Sequence, residues 1–467
     1  MPSRPNILLI YSDQHRYDCV RANGHPLVRT PSMDRLAREG MRFTQAYTPI
    51  PMCVPARVSF LTSQWAMQHQ VLFNFDAEAF KPLPVDPPTT VKSVQRAGYH
   101  TIHIGRWHVD PKRTPLDFGA HDYVPDWRYA KWRAARGLGP RTATDGALSC
   151  ADVATPADKS PLYWSATQVI DWLDRARQDD DPFLIRWQMT EPHPHYRPSE
   201  PYASMYDPAQ IAPWPGFADE FANKPYFQRQ MRATWGLEGK TWDDWAPVVA
   251  HCLGVISELD ANIGRVLDAL DARGLAENTL VVYSTDHGDM CGSHGMVDKH
   301  GIMYDDVVRV PMIARLPGVV RAGSTCDAFV SNVIDLGATF CDLAGAEPPP
   351  GAMGLGLRGL FEDPAATWPR EDIYSTYHGN QFGGYSQRMV RDHRWKYIWN
   401  ATAEDELYDL ESDPGELVNL ATEGTHGAEL SRLRGRLVSW MEQTDDGLLN
   451  HWTRAQLLKG RKLSDRG

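Results

Sequence analysis

Residues 6–14, NILLIYSDQ, decide the fold of this chain, because an unbroken apolar run leads directly into two polar residues. Residues 279–287, TLVVYSTDH, repeat this arrangement. Two further runs, residues 100–104 and 182–185, also lack a regular alternation of polar and apolar residues. Such runs are typical of strands that are buried on both faces of a parallel sheet. We therefore expect the four runs to be strands of one sheet.

Helical patterns lie between these runs. Thr30-Pro31 opens one helix and Gly40 ends it, which is the usual order of capping residue, proline and glycine. Apolar residues at helical spacing predict two longer helices, near residues 161–178 and 245–272. Strands that alternate with helices predict an α/β fold, in which a large, mostly parallel sheet is flanked by helices on both faces.

The composition changes near residues 347–370, where proline and glycine are frequent, as in a linker. Short strand-like runs and a helix near residues 428–442 follow this segment. The sequence therefore predicts an α/β domain over residues 1–365. It also predicts a smaller C-terminal α+β domain over residues 366–467, with a short antiparallel sheet. The basic tail after Gly447 is expected to be either solvated or exchanged with a second subunit.

Composition bounds the classes of function. The 467 residues include 48 lysines and arginines against 59 aspartates and glutamates, a net charge of −11. A net-acidic chain is a poor candidate for binding nucleic acid through its overall field. No apolar run reaches the roughly 18–20 residues of a membrane span, and no secretory cleavage site follows the first run. Seven scattered cysteines without a Cys-x-x-Cys pair fit a reducing compartment, so we expect a cytoplasmic protein without nucleic-acid or membrane partners.

Each of the four strands leads into a polar cluster at its carboxyl end. In chain order the clusters contain Asp13 and Gln14, then Arg106 and His108, then His193, then Asp286 and His287. Ligands bind beyond the carboxyl ends of the strands in a parallel α/β sheet, so neighbouring strands would bring these side chains to one crevice. Carboxylates and an amide oxygen suit Ca²⁺ or Mg²⁺, and an imidazole also tolerates Mn²⁺ or Zn²⁺. The alternative is that each aspartate only caps a turn.

Cys53, in the stretch PMCVPARVSF, is the candidate nucleophile. Pro55 stands where proline begins a helix, which places Cys53 at a helix N-terminus. The N–H groups and dipole there favour an anion and lower the pKa of a thiol. Arg57 lies one helical turn further on and is expected to reach back toward Cys53. The alternative for a lone cysteine is inert packing.

Positive side chains accumulate at the same edge of the sheet, although the chain is acidic overall. Lys299 follows the fourth strand in a loop with several glycines. Together with Arg57 and Arg106 it offers cations to the oxygens of a phosphate or sulfate group, and His108 and His193 offer proton transfer. The alternative for Lys299 is an ordinary surface lysine.

Residues 53–57, CVPAR, fit the pattern Cys-x-Pro-x-Arg. The chain also contains an early Asp-Gln, GRWH, PHPH, STDHGD and a following lysine, and a C-terminal run from WKYIW to DELYDLESDPGELVNLA. Together these motifs resemble the formylglycine-dependent, type I sulfatases of the alkaline-phosphatase superfamily, over nearly the whole chain. The resemblance implies that a formylglycine-generating enzyme oxidises Cys53. It also implies that residues 1–365 hydrolyse a sulfate monoester by S–O cleavage, releasing an alcohol and inorganic sulfate.

The resemblance further implies a role for each site residue. Five residues would hold one divalent cation, most often Ca²⁺, with Mg²⁺ or Mn²⁺ as alternatives: Asp13, Gln14, the modified Cys53, Asp286 and His287. Three residues would bind the sulfate oxygens: Arg106, His193 and Lys299. Arg57 would steady the hydrated formylglycine and the charge on the metal side. His108 would take a proton from the hydrate and help to break the later hemiacetal, while His193 or Lys299 would protonate the leaving alcohol. A sulfated hemiacetal on the enzyme would divide the reaction into two steps.

Three positions depart from the commonest pattern of the family: Gln14 for aspartate, His287 for asparagine and Arg106 for lysine. The first two leave the metal preference open, and the third replaces a point charge with a planar fork. Phosphonate monoester and phosphodiester hydrolases use the same formylglycine site and are the alternative enzyme class. A non-enzymatic binding protein and a phosphotransferase with a serine or threonine nucleophile are weaker alternatives, because Cys53 and every catalytic residue type are present.

The substrate is less constrained by the sequence. A cytoplasmic location favours a small sulfated substrate. Aromatic stretches at residues 73–80, 127–132 and 378–385 are candidates for the wall of its pocket, which would suit a sugar, an aryl group or a quaternary ammonium group. The basic tail makes a homo-oligomer a further expectation.

Overall fold

The computed structural model describes residues 4–77, 79–176, 181–299, 301–379, 385–422, 424–460 and 462. Within this part of the chain, fourteen strands form three sheets. In chain order the strands are β1 (Asn6–Asp13), β2 (Met41–Phe43), β3 (Ala46–Tyr47), β4 (His100–Gly105), β5 (Asp122–Pro125), β6 (Phe183–Pro192), β7 (Thr279–Thr285), β8 (Met312–Arg315), β9 (Ser324–Cys326), β10 (Val330–Ser331), β11 (Ile373–Tyr377), β12 (Gln387–Arg391), β13 (Trp395–Asn400) and β14 (Glu406–Asp409).

The largest sheet has eight strands in the order β5-β4-β6-β1-β7-β8-β2-β9. The four apolar runs of the sequence are the adjacent strands β4, β6, β1 and β7, and they are mutually parallel. β8 runs antiparallel to both of its neighbours. The prediction of a mostly parallel sheet is confirmed, and its four central carboxyl ends lie at one edge.

Helices cover both faces of this sheet. In chain order the helices of the described residues are α1 (Pro31–Glu39), α2 (Cys53–Thr62), α3 (Ala66–His69), α4 (Thr90–Arg96), α5 (Arg128–Ala134), α6 (Pro161–Ala176), α7 (Tyr226–Thr234), α8 (Trp242–Ala272), α9 (Asp305–Val308), α10 (Asn332–Ala344), α11 (Arg358–Glu362), α12 (Gly427–Gln443) and α13 (His451–Lys459). Ile7 and Leu9 of β1 pack in a core with α2, α4 and α10, whereas Leu8 and Ile10 pack with α1, α6 and α8. Because both sets are buried, burial contributes about 1.5–3 kcal/mol for each such side chain.

The predicted helices differ from the observed ones mainly at their ends. α8 begins three residues before the predicted start at 245, because Thr241 and Asp244 form a capping box there. Thr30 precedes α1, but its hydroxyl donates to Asp34 and does not cap the helix N-terminus through its side chain. α6 matches the predicted helix up to Ala176, and residues 177–178 of that prediction lie outside the described residues.

The C-terminal region contains a four-stranded antiparallel sheet, β11-β12-β13-β14, and α12 packs against it. The domain boundary at residue 365 stays a prediction. In the expected basic tail, α13 buries Leu457 and Arg454 pairs with Glu442, while residues 461 and 463–467 lie outside the described residues. The aromatic stretches 73–80 and 378–385 are described except for residues 78 and 380–384. Across the described ranges, no helix is long and apolar enough to span a membrane.

Candidate active site

The carboxyl ends of β1 and β7 bring two acidic residues together. Asp13 is the last residue of β1, and Asp286 and His287 follow β7 directly. Cys53 is the first residue of α2. One ligand atom from each of these four residues lies within 4.8 Å of the others, and all four side chains are buried. The cluster is a candidate metal centre in which two carboxylates face an imidazole and Cys53.

The imidazole of His287 is oriented by its own backbone neighbour. Nδ1 lies 2.9 Å from the carbonyl oxygen of Gly288, so it donates its hydrogen there. Nε2 faces the two carboxylates, and it lies 3.7 Å from Oδ1 of Asp286 and 4.0 Å from Oδ1 of Asp13. A held Nδ1–H is the usual support of a metal-ligating histidine. Carboxylate oxygens with one imidazole suit a divalent cation, so these residues fit the metal that the motifs imply.

Arg57 connects α2 to the ends of both strands. Its Nη2 donates to Oδ2 of Asp13 at 2.8 Å and lies 3.1 Å from Oδ2 of Asp286. Its Nη1 donates to Oε1 of Gln188 at 2.6 Å, and the guanidinium is fully buried. Burial alone would raise the pKa of Asp13, but Arg106 and Arg57 hold it well below its ordinary value. Sequence reasoning directed Arg57 toward Cys53, whereas the structure directs its hydrogen bonds to the carboxylates.

The thiol of Cys53 lies 3.3 Å from Nε2 of His287 and 3.8 Å from Oδ1 of Asp13. The prediction that the helix start lowers the pKa of this thiol is wrong. Burial, assisted by the negative charge of Asp13, raises the pKa of Cys53 to about 12. Desolvation disfavours the thiolate, and the attraction of Lys299 is too weak to compensate. At neutral pH Cys53 is therefore a protonated thiol and a weak nucleophile.

Gln14 supports the site through both its backbone and its side chain. It adopts a left-handed backbone conformation with φ of 64°, and its N–H donates to Oδ1 of Asp286 at 3.0 Å. The side-chain Oε1 accepts a hydrogen bond from Nζ of Lys299 at 2.9 Å. Gln14 as a metal ligand therefore stays a prediction, because its amide oxygen is directed to an ammonium group.

Lys299 and His193 form a pair at the mouth of the site. Nζ of Lys299 lies 3.3 Å from Nε2 of His193 and 2.9 Å from Oδ1 of Asp298. Burial disfavours the charged lysine, but the charge of Asp298 raises its pKa above the ordinary value. Burial and the neighbouring ammonium lower the pKa of His193 to about 4. At neutral pH the pair is thus a charged lysine beside a neutral histidine.

Arg106 and His108 reach the site from the loop after β4. The loop lies close against β6, since a Cβ on Gly105 would stand 1.9 Å from the carbonyl oxygen of Gln188. Nη1 of Arg106 lies 3.0 Å from Oδ2 of Asp13, and its Nη2 lies 3.4 Å from Nδ1 of His108. Burial and the charge of Arg106 lower the pKa of His108 to about 2. At neutral pH His108 is therefore a neutral imidazole.

Sequence reasoning missed Gln188 and Asp298. Gln188 lies opposite Tyr11 in the register of β6 and β1, and it receives the hydrogen bond from Arg57. A glutamine inside the buried strand segment FLIRWQM was a signal that could have found it. Asp298, which immediately precedes Lys299, gave no comparable signal because acidic loop residues are common.

Comparisons with known proteins agree with this geometry. A family model described as Sulfatase matches residues 5–346. The chain belongs to the sulfatase family. A model described as N-sulphoglucosamine sulphohydrolase, C-terminal, matches residues 292–443 of the sulfatase.

The sulfatase resembles curated relatives over nearly its full length. An arylsulfatase of Clostridium perfringens is 30% identical over 491 residues, covering 99% of this chain and 98% of that protein. An uncharacterized sulfatase of Escherichia coli, YidJ, is 30% identical over 462 residues, covering 95% and 88% respectively. The crystal structure of a phosphonate monoester hydrolase of Agrobacterium radiobacter superposes with a TM-score of 0.81 at 25% identity, covering 94% of this chain and 96% of that one.

These matches confirm the predicted family, fold class and enzyme class. The protein is a sulfuric ester hydrolase of the alkaline-phosphatase superfamily, and its reaction is the hydrolysis of sulfate monoesters. The described residues also contain a group that can hold a metal ion at the expected place.

Proposed function

We propose that this sulfatase cleaves the S–O bond of its ester with a formylglycine made from Cys53, assisted by one divalent cation, most favourably Ca²⁺. The observation that carries the proposal is the position of Cys53, at the start of α2 and within 4.8 Å of two carboxylates and an imidazole. A thiol with a pKa of about 12 is a weak nucleophile, so conversion to a hydrated aldehyde explains why a cysteine stands here.

Asp13, Asp286 and His287 would hold the cation, with Gln14 and the converted Cys53 as further ligands. Two carboxylates favour Ca²⁺, Mg²⁺ or Mn²⁺ over softer metals. Such a cation polarises an ester oxygen and lowers the pKa of a hydroxyl bound to it. Arg57 already neutralises part of the carboxylate charge, through contacts of 2.8 and 3.1 Å.

Converted to formylglycine, residue 53 would supply the attacking oxygen from its hydrate. Burial and the charge of Arg106 lower the pKa of His108 to about 2, so His108 is neutral at pH 7. To accept the proton released there it needs a higher pKa, and an anion bound beside Arg106 would raise it. Arg57 stays charged at every pH at which the protein folds and is placed to hold Asp13 beside the nucleophile.

Arg106, His193 and Lys299 would bind the sulfate oxygens. Arg106 and Lys299 are cations, and Nζ of Lys299 already lies 3.3 Å from Nε2 of His193. A bound sulfate anion beside His193 would raise its pKa from about 4 toward neutrality. His193 could then donate a proton to the leaving alcohol, with Lys299 as the alternative donor.

The wider setting of the enzyme belongs to the same proposal. A formylglycine-generating enzyme would mature Cys53, and residues 1–365 would form the catalytic domain. All seven cysteines are free thiols, which supports a reducing, cytoplasmic compartment. A small sulfated substrate and a homo-oligomer complete the proposed setting.

The test compares rates on three ester types. The chain is co-produced with a formylglycine-generating enzyme, and kcat/KM is measured for 4-nitrophenyl sulfate, an aryl phosphodiester and an aryl phosphonate monoester. Cys53→Ala serves as the blank. We expect a preference for the sulfate that is lost in the blank. Equal activity of Cys53→Ala would overturn the formylglycine mechanism, and a preference for either phosphorus ester would move the enzyme to the phosphonate and diester hydrolases.

A further inference from the structure

A cleft of about 310 Å³ adjoins the proposed sulfate site. Arg106 and Gln188 line it on the side of the site, and Trp127, Tyr129 and Trp164 line it on the other side. The alcohol part of a substrate whose sulfate lies at Arg106 would project into this cleft. Its volume is that of a single small molecule.

The aromatic side of the cleft is held in place by hydrogen bonds. The hydroxyl of Tyr129 donates to the carbonyl oxygen of Lys159 at 2.8 Å and accepts from Nη1 of Arg133 at 3.0 Å. Trp127 stands at the rim, and its side chain is 55% exposed. An indole ring left open to water beside an active site offers a flat apolar surface to a ligand.

Two further arginines, Arg141 and Arg197, line the cleft and have different partners. Arg141 is bound by Asp152, with Nε 2.5 Å from Oδ2. Arg197 has no carboxylate oxygen within 4.0 Å of its guanidinium, as far as the described ranges extend. Its Nη1 makes one hydrogen bond of 3.4 Å to the carbonyl oxygen of Thr142, and its buried Nε has no hydrogen-bond partner there. Arg197 is therefore a cation whose guanidinium can still donate hydrogen bonds to a ligand.

The segment that carries Trp127 is basic although the chain is acidic. Residues 127–141, WRYAKWRAARGLGPR, contain five lysines and arginines and no acidic residue. Arg128, Lys131 and Arg136 of this segment are exposed. Their field favours an anionic ligand and opposes a quaternary ammonium group.

We propose that the cleft binds the alcohol part of the substrate, and that this part is a sugar ring with a second anionic group held by Arg197. The proposal rests on the proposed function. The C–H face of a sugar would pack on Trp127, and the carboxylates of Asp126 and Glu191, which also line the cleft, would accept hydrogen bonds from hydroxyl groups. A carboxylate and a second sulfate each present two negatively charged oxygens, which a guanidinium binds with two parallel hydrogen bonds.

The test uses sulfated glucose, the corresponding sulfated glucuronic acid and disulfated glucose, with 4-nitrophenyl sulfate as the reference. For each sugar, kcat/KM is divided by kcat/KM for the reference. We expect the ratio for at least one anionic sugar to exceed that of sulfated glucose about tenfold, and Arg197→Gln to remove this advantage. About tenfold corresponds to one charge-assisted hydrogen bond. A higher ratio for the glucuronic acid would identify a carboxylate as the second anionic group, and a higher ratio for the disulfated glucose would identify a second sulfate.

Arg136→Gln is the matched control, since it removes a positive charge from the same basic segment at a residue that does not line the cleft. It should leave the ratios unchanged, while Trp127→Ala should lower kcat/KM itself for every sugar. Equal ratios for neutral and anionic sugars, or an equal effect of Arg136→Gln and Arg197→Gln, would overturn the proposal. Failure to cleave even 4-nitrophenyl sulfate would instead refute the proposed function.

Discussion

Replacing Arg57 with methionine tests the electrostatic balance of the site most directly. The guanidinium lies 2.8 Å from Asp13 and 3.1 Å from Asp286, and all three side chains are fully buried. At an effective dielectric constant of about 20, each contact is worth roughly 5 kcal/mol, but the desolvation of the ions offsets much of this. Removing one partner of a buried ion pair costs about 3–5 kcal/mol. We expect Arg57→Met to lower the free energy of unfolding by that amount in the presence of a chelator.

The assay is urea unfolding followed by tryptophan fluorescence, with chelator and with Ca²⁺. Without Arg57 the two carboxylates repel each other, so Ca²⁺ should stabilise the variant more than the wild type. In an Asp13→Asn background the same substitution should cost clearly less, because one carboxylate is already neutral. Arg454→Met, which removes an exposed partner of Glu442, is the control and should cost about 0–1 kcal/mol. A loss for Arg57→Met no larger than this control would refute the reasoning.

Three further outcomes are expected. Cys53→Ser should release one equivalent of alcohol and then stall with a sulfate bound to the enzyme, as seen by mass spectrometry, because a single hydroxyl cannot expel it; continued turnover would contradict the two-step reaction. Asp286→Asn should lose the bound cation in elemental analysis whereas Asp298→Asn keeps it, and retention by both would exclude the proposed metal centre. Gln188→Leu leaves Arg57 without its third acceptor and should lower the free energy of unfolding by about 1.5–3 kcal/mol; an unchanged urea midpoint would show that this hydrogen bond contributes nothing.

The membership of the central strands in one covered sheet followed from the sequence, because runs such as residues 6–10 and 279–283 can be buried only inside a sheet with two covered faces. Their order in the sheet did not. Their polar ends then had to meet, which is why Asp13 and Asp286 were found together. The direction of individual side chains could not be read in this way. Arg57 turns to two carboxylates from different strands, and the high pKa of Cys53 depends on burial by residues far apart in the chain.

The aromatic side of the cleft, too, could be predicted only in part from the sequence. The aromatic composition of residues 127–132 indicates a pocket wall, but only the fold places Trp127 and Arg106 along one cleft. Nothing in the sequence singles out Arg197, because one arginine among many carries no sign of whether a carboxylate pairs with it in the fold.

The burial of Cys53 determines whether this residue can be modified before or after the protein folds. Its side chain is 1% exposed, and it is surrounded by Asp13 at the end of β1 and by Asp286 and His287, which follow β7. A modifying enzyme must reach the Sγ atom and the backbone around it, and in the folded protein neither is accessible. If Cys53 is converted as proposed, its oxidation has to take place on the chain before the central sheet closes. Protein that folds without the modifying enzyme should remain a thiol permanently, and adding that enzyme later should restore activity only after unfolding.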